Sequence, residues 1–415
     1  MTEALRDTPL DFDRTTSSKA ADVMGGYFAK RLLEYEAYAG IRTRARKPLD
    51  QTIFDQQVKV IICNLIYHYL KPSENRSGWL SVSLSHRLHG RHPLQNSTLA
   101  KTLESLEAIE FIHLEKGKIG TGLQTRLCLT AKAKDWLEPH HFKVKDFKSV
   151  KPKPLIQLRS PKNDKKKYKL LEVDYDDPGI RKYLEQVQLL NDHYEVADIV
   201  YHADDGTDDT NRFVYRVFTE GSYESCGRLY GGFWQSQGVS HQRRRAFLTI
   251  GSERVACLDF GQSAIRLAYA EAGAVPPMTD LYAIPGYERH RDTCKTFINM
   301  LFNKEEAIRL RYRPKALTKN AIDPDRAIAQ FRSAIYEFHS PIAHLFKTAI
   351  GQRLMFKESR IVIDSLITMT NKGITGLPVG DGIYVQESMI DDALSILKKT
   401  YVQYCGFEPS ITIER

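Results

Sequence analysis

The feature that most constrains the fold of this chain is a basic segment near its middle. Residues 142–169 hold eleven lysines and arginines against two aspartates, a surplus of nine positive charges that equals the net charge of all 415 residues. Prolines interrupt the same segment at 152 and 154. This composition is typical of a solvated connector, so we expect a basic linker at 141–169 with folded domains on both sides.

The charge of this linker also indicates a partner. Lysines and arginines that meet phosphates release counterions, so a concentrated positive segment favours binding to a nucleic acid. We expect Lys165, Lys166 and Lys167 to contact the nucleic-acid backbone. A linker that is only solvated is the alternative, and both interpretations can hold together.

The region before the linker, 20–140, has the pattern of a winged helix-turn-helix domain. A helix over 54–70 carries one apolar face, and a short strand at 79–83 leads into a small helix at 84–88. A third helix begins near Asn96-Ser97, which supplies an N-cap. Its three glutamates against one lysine argue against specific readout of the major groove.

Two alternating strands complete this domain, at 112–114 and 125–129. The residues between them, 116–122, are basic and rich in glycine, as in the wing of such a domain. We expect Lys116 and Lys118 to contact nucleic acid. Winged helices also bind proteins, so a protein partner is the alternative.

Composition excludes several classes of protein. The apolar stretches are well short of the roughly 18 residues that a membrane span needs, and the polar, acidic start lacks the basic and apolar regions of a secretory signal. Six cysteines without a Cys-x-x-Cys pair fit a reducing cytosol better than a zinc ribbon or a disulfide framework. No phosphate-binding loop of an ATPase is present. We therefore expect a cytoplasmic protein.

The candidate catalytic residues lie in the last 190 residues, beginning with an apolar run at 255–258. Such a run is typical of a buried strand, and it places Asp259 at the strand end. The chain then turns at Gly261 into a helix with Gln262 and Arg266 one turn apart. A carboxylate at a strand end, projecting into a cleft, suits a divalent metal.

A second aspartate lies at the tip of a predicted hairpin. Apolar arms at 377–379 and 383–385 flank the sequence Gly-Asp-Gly, whose aspartate is Asp381. Taken alone, the hairpin says little about metal binding, because Asp-Gly is a common turn dipeptide.

A helix predicted over 287–302 lies between these two aspartates. At 100° per residue, one of its faces combines two cations, an amide and an aromatic ring: Arg291, Lys295, Asn299 and Phe302. Such a mixture suits a surface that holds a triphosphate and stacks on a base.

In this order the three elements resemble the palm and fingers of family A DNA polymerases and of the related single-subunit phage RNA polymerases. Residues 259–266, Asp-Phe-Gly-Gln-Ser-Ala-Ile-Arg, align without a gap on the family motif D-Y-S-Q-I-E-L-R. Arg291 and Lys295 match its R-x-x-x-K, and Asp381 matches the aspartate of its H-D-E. The resemblance covers about residues 220–415.

The resemblance implies a site and its ligands. Asp259 and Asp381 would hold two Mg²⁺ or Mn²⁺ ions, which activate the attacking 3′-hydroxyl and neutralise the leaving pyrophosphate. The incoming nucleotide would meet the fingers residues and three residues of the first motif, Gln262, Ala264 and Arg266. The stretch 227–238 and the arginines after it are similar to the segment before that motif, where nucleic acid would lie along Arg243, Arg244 and Arg245.

The departures from the family pattern narrow the expected function. Ala264 stands where the family has a glutamate that crowds the sugar 2′-hydroxyl, so ribonucleotides should fit. Gly380 and Gly382 replace the neighbours of the last aspartate. The chain is too short for an exonuclease domain, its fingers are small, and 170–219 would be a reduced thumb. It thus resembles the short primases of this type on bacterial mobile elements, with an added winged helix.

We therefore expect an α+β protein in which a winged helix-turn-helix precedes a reduced thumb at 170–219 and a palm with small fingers at 220–415. The implied function is template-directed primer synthesis from ribonucleoside or deoxyribonucleoside triphosphates on single-stranded DNA, with a helicase or single-strand-binding protein as partner. A primer-extending DNA polymerase and a non-catalytic DNA-binding replication initiator with a degenerate palm are the alternatives.

Two acidic stretches are assigned no metal. In Asp-Tyr-Asp-Asp-Pro-Gly at 174–179, Asp174 and Asp176 form a D-x-D, which archaeal-type primases use to bind metal. Because the proline suits a helix start, helix capping is preferred over that alternative. The stretch at 202–211 is expected to be a solvated loop.

Overall fold

The computed structural model describes residues 6–72, 76–84, 92–117, 124–149, 154–163, 167–203, 207–236, 238–303, 314–318 and 323–415. The chain forms two compact units, the first being Met1–Lys153 with His202–Asn211 and the second Pro154–Tyr201 with Arg212–Arg415. Both combine helices with sheets, so the expected α+β class is confirmed. Within the described ranges, no helix is both long and apolar enough to cross a bilayer.

The first unit packs helices against a mixed sheet. Its strands are β1 (Arg6–Pro9), β2 (Arg14–Thr16), β3 (Arg76–Val82), β4 (Ile112–Glu115), β5 (Thr125–Leu129) and β6 (Phe147–Ser149). Its helices are α1 (Lys19–Tyr38), α2 (Pro48–Leu70), α3 (Leu99–Ala108) and α4 (Ala131–Leu137). The main sheet has the order β1-β3-β5-β4, and β2 pairs with β6. The expected apolar face of α2, which includes Val58, Ile61 and Leu65, lies in the core.

The expected elements of this unit differ from the observed ones mainly at their ends. Helix α2 begins before residue 54, because Pro48 suits a first helical turn. The expected N-cap at Asn96-Ser97 is wrong: α3 has Thr98 at its N-cap position, and the Asn96 side chain accepts from the Thr98 N–H at 2.9 Å. Strands β4 and β5 lie where expected. Residues 85–91 and 118–123 lie outside the described residues, so the small helix and the wing tip remain predictions, as does the winged-helix interpretation.

The segment expected to be a basic linker, 141–169, contains two buried strands. Phe147, at 1% exposure, lies in β6 of the first unit. Ile156, fully buried, begins a strand of the second unit. Both apolar side chains are buried, which the number of charged residues in the segment did not predict. The expected linker therefore contributes one strand to each unit.

Residues 207–211 of the acidic stretch expected to be a solvated loop are instead part of the first unit, whereas Asp204 and Asp205 lie outside the described residues. Asp208 forms an ion pair with Arg14, which is 4% exposed and lies 3.6 Å above the ring of Tyr67. Lys71 pairs with Asp209 at 2.9 Å. Burial acts to raise the pKa of Asp208, but Arg14 and hydrogen bonds from Thr210 outweigh it and hold the pKa below the ordinary value. Burying the Arg14 charge is costly unless it is paired, and Asp208 in this segment supplies the pairing carboxylate.

In its described residues, the second unit forms two sheets. Its strands are β7 (Ile156–Arg159), β8 (Leu170–Leu171), β9 (Ile199–Tyr201), β10 (Tyr215–Phe218), β11 (Cys226–Tyr230), β12 (Leu248–Ile250), β13 (Glu253–Phe260), β14 (Leu377–Val379), β15 (Gly382–Gln386) and β16 (Ile411–Glu414). One sheet has the order β11-β10-β7-β8. The other has the order β14-β15-β13-β12-β9, with β16 also paired to β13.

The helices of this unit cover its sheets. They are α5 (Pro178–Val196), α6 (His241–Phe247), α7 (Ser263–Glu271), α8 (Arg291–Phe302), α9 (Lys315–Thr318), α10 (Pro324–Phe338), α11 (Gly351–Asn371) and α12 (Ile390–Cys405). Helix α5 begins as expected: the Asp177 side chain caps it by accepting from the N–H groups of Gly179 and Ile180. The long helix α11 contacts β11, α5, α7 and α12, so it is the central packing element of the unit.

Strand β13 is the centre of the site-bearing sheet. It pairs with β15 along one edge and with β16 along the other. All four residues of the apolar run 255–258 are buried, which confirms the expected buried strand. The chain then turns through Gln262, whose φ is +59°, into α7. Asp259 thus lies near the end of a strand that the sheet holds from both sides.

Candidate active site

The pairing of β13 with β15 places the two expected catalytic aspartates close together. Asp259 faces Gly382, the first residue of β15, and Asp381 directly precedes Gly382. A Cβ atom built on Gly382 would lie 3.1 Å from Oδ1 of Asp259. The Asp259 carboxylate therefore lies over the start of β15, and glycine at position 382 leaves the space that it needs.

The turn that carries Asp381 depends on glycine and on a clamp. Gly380 has a φ of +67°, a positive value of the kind that two-residue hairpin turns require at their first central position and that glycine adopts readily. The expected hairpin is therefore confirmed. The ring N–H of Trp234 and the amide of Gln235 donate to the carbonyl of Pro378 at 3.2 and 2.8 Å. This clamp fixes the hairpin, and with it the position of Asp381.

The carboxylates of Asp259 and Asp381 interact electrostatically. Burial, followed by the charge of Asp381, raises the pKa of Asp259 to about 6. Glu414 on β16 and Glu358 on α11 act in the same direction, and Lys295 acts against them. Negative charge thus accumulates around Asp259, and a cation would stabilise its ionised form.

A third carboxylate, Glu358, was missed by the sequence motifs. It is 5% exposed and accepts from Nε of Arg228 at 2.9 Å and from the Ser263 hydroxyl at 2.6 Å. Burial raises the pKa of Glu358, although Arg228 opposes the effect. One signal could have found it: Glu358 stands at helical spacing between Leu354 and Ile361, and it is the one charged residue among the buried residues of α11. Glu358 joins α11, β11 and the start of α7.

Helix α8 presents two of its four expected nucleotide-binding residues to solvent. Arg291 and Lys295, one turn apart, are exposed, and Asn299 is half-buried. Lys295 is close enough to Asp259 to lower its pKa against the larger effect of burial. Of the two cations on this face, Lys295 therefore lies within electrostatic reach of Asp259.

The assignment of Phe302 as a base-stacking ring is wrong. Phe302, at 1% exposure, packs with its ring centroid 5.5 Å from that of Phe346. It is the last residue of α8, where the helix meets the core. Helical spacing correctly predicts that Phe302 and Arg291 lie on the same face of α8. It does not show that Phe346, from a later segment, covers the end of that face.

The three residues expected from the first motif have different surroundings. Gln262 uses its side-chain oxygen to accept from the Leu281 N–H at 2.9 Å, so it holds the segment after α7. Ala264, in the first turn of α7, is half-buried. Arg266 is 7% exposed, which corrects its assignment to the nucleotide: it is covered by the unit's own side chains.

The arginine triplet in α6 is largely engaged within the unit. Arg244 is buried and donates to the carbonyl oxygens of Trp234 and Val239, so its assignment to nucleic acid is wrong. Arg243 donates to the Tyr201 hydroxyl at 3.3 Å, and a nitrogen of Arg245 lies 3.8 Å from the Glu414 carboxylate. Both are half-buried, and a role toward nucleic acid stays a prediction for them.

Few of the expected nucleic-acid lysines lie in the described residues. Lys116 is exposed and forms an ion pair with Glu104 of α3 at 2.7 Å, so α3 supplies a counter-charge to it. Lys167 is exposed. Lys118, Lys165 and Lys166 lie outside the described residues.

The aspartate pair has the chemistry of a magnesium site shared with a nucleotide. Across the described ranges, no group of three or more histidine, cysteine, aspartate or glutamate side chains is arranged to hold a metal ion. Mg²⁺, however, is commonly bound by one or two carboxylates together with substrate phosphates. Asp259 and Asp381 offer hard oxygen ligands whose mutual repulsion a divalent cation would relieve. The residues present therefore fit Mg²⁺ or Mn²⁺.

Comparisons with known proteins leave the family open. No protein-family model matches the sequence, and no curated protein matches it. Among solved structures, the chain is similar to the POL domain of Pol1 from M. smegmatis in complex with DNA primer-template and dNTP, at 12% identity and a TM-score of 0.32. The match covers 62% of this chain and 57% of that chain, so it spans a little over half of the polymerase domain.

Proposed function

We propose that this chain is a template-directed nucleotidyltransferase, and specifically a DNA primase that joins nucleoside triphosphates on single-stranded DNA. The observation that carries the proposal is the Asp259–Asp381 pair, set by the β13–β15 register, with Lys295 of α8 within electrostatic reach of Asp259. The three motifs that supply these groups follow the order of the polymerase family that the sequence resembles. The first unit would contribute DNA binding through its winged helix.

The positions of the side chains give each residue of the proposed site a separate role. Asp259 and Asp381 would hold Mg²⁺ or Mn²⁺, which when bound lower the pKa of an attacking hydroxyl and neutralise pyrophosphate. Arg291 and Lys295 bind the triphosphate and orient its reacting phosphorus toward the aspartates. Trp234 clamps the hairpin so that Asp381 keeps its distance from Asp259.

The proposal is tested by synthesis on a template. Asp259→Asn and Asp381→Asn keep the side-chain shape but remove the negative charge that holds the cation. With single-stranded DNA, four ribonucleoside triphosphates and Mg²⁺ or Mn²⁺, we expect short labelled products from the native chain and at least about a hundredfold fewer from either variant.

Asp391→Asn serves as the matched control, because it removes an exposed carboxylate from the first turn of α12. It should keep native product levels. Products that persist undiminished in both aspartate variants would show that the assigned pair is not the catalytic centre.

The sugar preference gives a second prediction. Ala264 leaves space at the start of α7 where the related motif carries a glutamate. Ala264→Glu is therefore expected to reduce incorporation of ribonucleotides at least about tenfold more than incorporation of deoxyribonucleotides, since a new carboxylate would crowd only the 2′-hydroxyl. Parallel titrations with the two nucleotide types measure the ratio. Ala264→Gly is the control, and equal losses with both sugars would remove the steric argument.

Two other functions predict different results in the same assays. A primer-extending polymerase would make products only when a primer is annealed. A non-catalytic replication initiator would bind DNA without making products at all. The observation in favour of the initiator is that Gly380 and Gly382 replace the neighbours of Asp381, although glycine at 382 also accommodates the Asp259 carboxylate.

A further inference from the structure

Arg291, one of the two exposed cations of α8, is already bound to a carboxylate of its own chain. Its Nε donates to Oδ2 of Asp280, and its Nη2 lies 3.4 Å from Oδ1 of the same group. The guanidinium therefore grips Asp280 with two nitrogens, as arginine grips a phosphate. Both side chains are partly exposed, at 45% for Arg291 and 33% for Asp280.

The Asp280 carboxylate is held in place by its own loop. Its Oδ1 accepts from the Tyr282 N–H at 3.0 Å, and the Ala283 N–H donates to the Asp280 carbonyl at 3.0 Å. Burial acts to raise the pKa of Asp280, but the hydrogen bond and charge of Arg291 together with the hydrogen bond from the Tyr282 N–H outweigh it and lower the pKa. The carboxylate is thus ionised and fixed before any ligand arrives.

The same loop is fastened to the elements that carry the aspartate pair. Leu281 donates its N–H to Gln262 in the turn after β13, and its carbonyl accepts from the buried ring of His339 at 2.9 Å. The Tyr282 ring lies under the Arg291 guanidinium, 5.5 Å from ring centroid to Cζ, and Tyr282 also interacts electrostatically with Asp381. Asp280 is therefore a rigid anion at the edge of the proposed nucleotide site.

We propose that Asp280 is an internal competitor for the phosphates of the nucleotide. It occupies Arg291 while the site is empty, and the triphosphate must displace it to reach that cation. A triphosphate carries several negative charges and can displace the single carboxylate of Asp280 from Arg291. An anion of lower charge displaces it less readily. Asp280 thereby sets the affinity that an anion needs in order to bind Arg291. It pairs with Arg291 again when pyrophosphate leaves. This inference rests on the proposed function, because it assigns Arg291 to phosphate binding.

The test measures binding of inorganic tripolyphosphate to the full chain by titration calorimetry at low salt, in metal-free buffer containing a chelator. Asp280→Asn keeps an oxygen that can accept from the Tyr282 N–H but removes the competing charge. We expect this variant to bind tripolyphosphate about threefold to fivefold more tightly than the native chain. Asp292→Asn removes an equal charge beside Arg291 and should change the affinity less.

The Arg291→Ala variant distinguishes the competitor role of Asp280 from the phosphate-binding role of Arg291. If Arg291→Ala weakens binding, and Asp280→Asn tightens it in the native chain but not in the Arg291→Ala background, competition is supported. If Arg291→Ala weakens binding while Asp280→Asn leaves it unchanged or weaker, the competitor role is overturned and the phosphate role of Arg291 stands. Unchanged binding in Arg291→Ala would instead remove Arg291 from the proposed nucleotide site, and the competitor role with it.

Discussion

Glu358→Ala is expected to lower the free energy of unfolding of the second unit by about 3 kcal/mol. Removal of one partner from a buried ion pair typically costs about 3–5 kcal/mol, because the other charge is left without compensation. The lower end applies here, since the Arg228 side chain remains 25% exposed to water. The Ser263 hydroxyl would also lose its acceptor at the start of α7.

The measurement uses urea unfolding followed by tryptophan fluorescence. The chain has three tryptophans, and in a Trp79→Phe, Trp136→Phe background only Trp234 remains, buried in the second unit. Asp176→Ala is the control: it breaks an ion pair with Arg181 whose side chains are 95% and 58% exposed, so it should cost less than about 1 kcal/mol. A Glu358→Ala variant as stable as that control would show that Glu358 does not brace the unit.

Glu358 also illustrates what the sequence could and could not predict. Asp259 and Asp381 were predictable because each follows a local pattern, an apolar run or a turn dipeptide, that sets its position within a single element. Glu358 belongs to no such motif. Its partners Arg228 and Ser263 are far from it along the chain and come near only when α11 packs against β11 and α7.

The errors have the same origin. Helical spacing indicates which residues share a face, but it does not show what covers that face. Phe302 and Arg266 therefore lie inside the unit, although their patterns suggested a ligand. Charge composition likewise predicted a solvated loop at 202–211, because the buried Arg14 that needs Asp208 lies almost two hundred residues away in the chain. Local structure follows from local patterns, whereas burial depends on tertiary packing.

The second unit is also expected to lose stability in acid through His339. This side chain is fully buried and bridges two elements, with Nε2 2.9 Å from the Leu281 carbonyl and Nδ1 3.0 Å from the Tyr269 hydroxyl. A carbonyl can only accept, so Nε2 carries the proton, and Nδ1 accepts from Tyr269. Both bonds are thus made by the neutral ring, and burial lowers the pKa of His339 from 6.5 to about 4.

The direction of the pH effect follows from these two values. At neutral pH the ring is uncharged in both states. As the pH falls below about 6.5, the unfolded chain binds a proton at His339 while the folded chain does not, so stability is lost progressively until about pH 4. At about 1.36 kcal/mol per pH unit, the loss amounts to about 3 kcal/mol.

His339→Gln isolates this contribution. It should lower stability at pH 7 but lose about 3 kcal/mol less than the native chain between pH 7 and pH 4, measured with the same Trp234 fluorescence. Asp259, whose pKa of about 6 lies in the same window, acts in the opposite direction, because its folded form binds a proton first; this effect is common to both proteins and cancels in the comparison. His290→Gln, which removes a histidine outside this bridge, is the control for the loss of a histidine side chain as such. If the His339→Gln profile ran parallel to the native one, the buried neutral ring would not be a source of acid sensitivity.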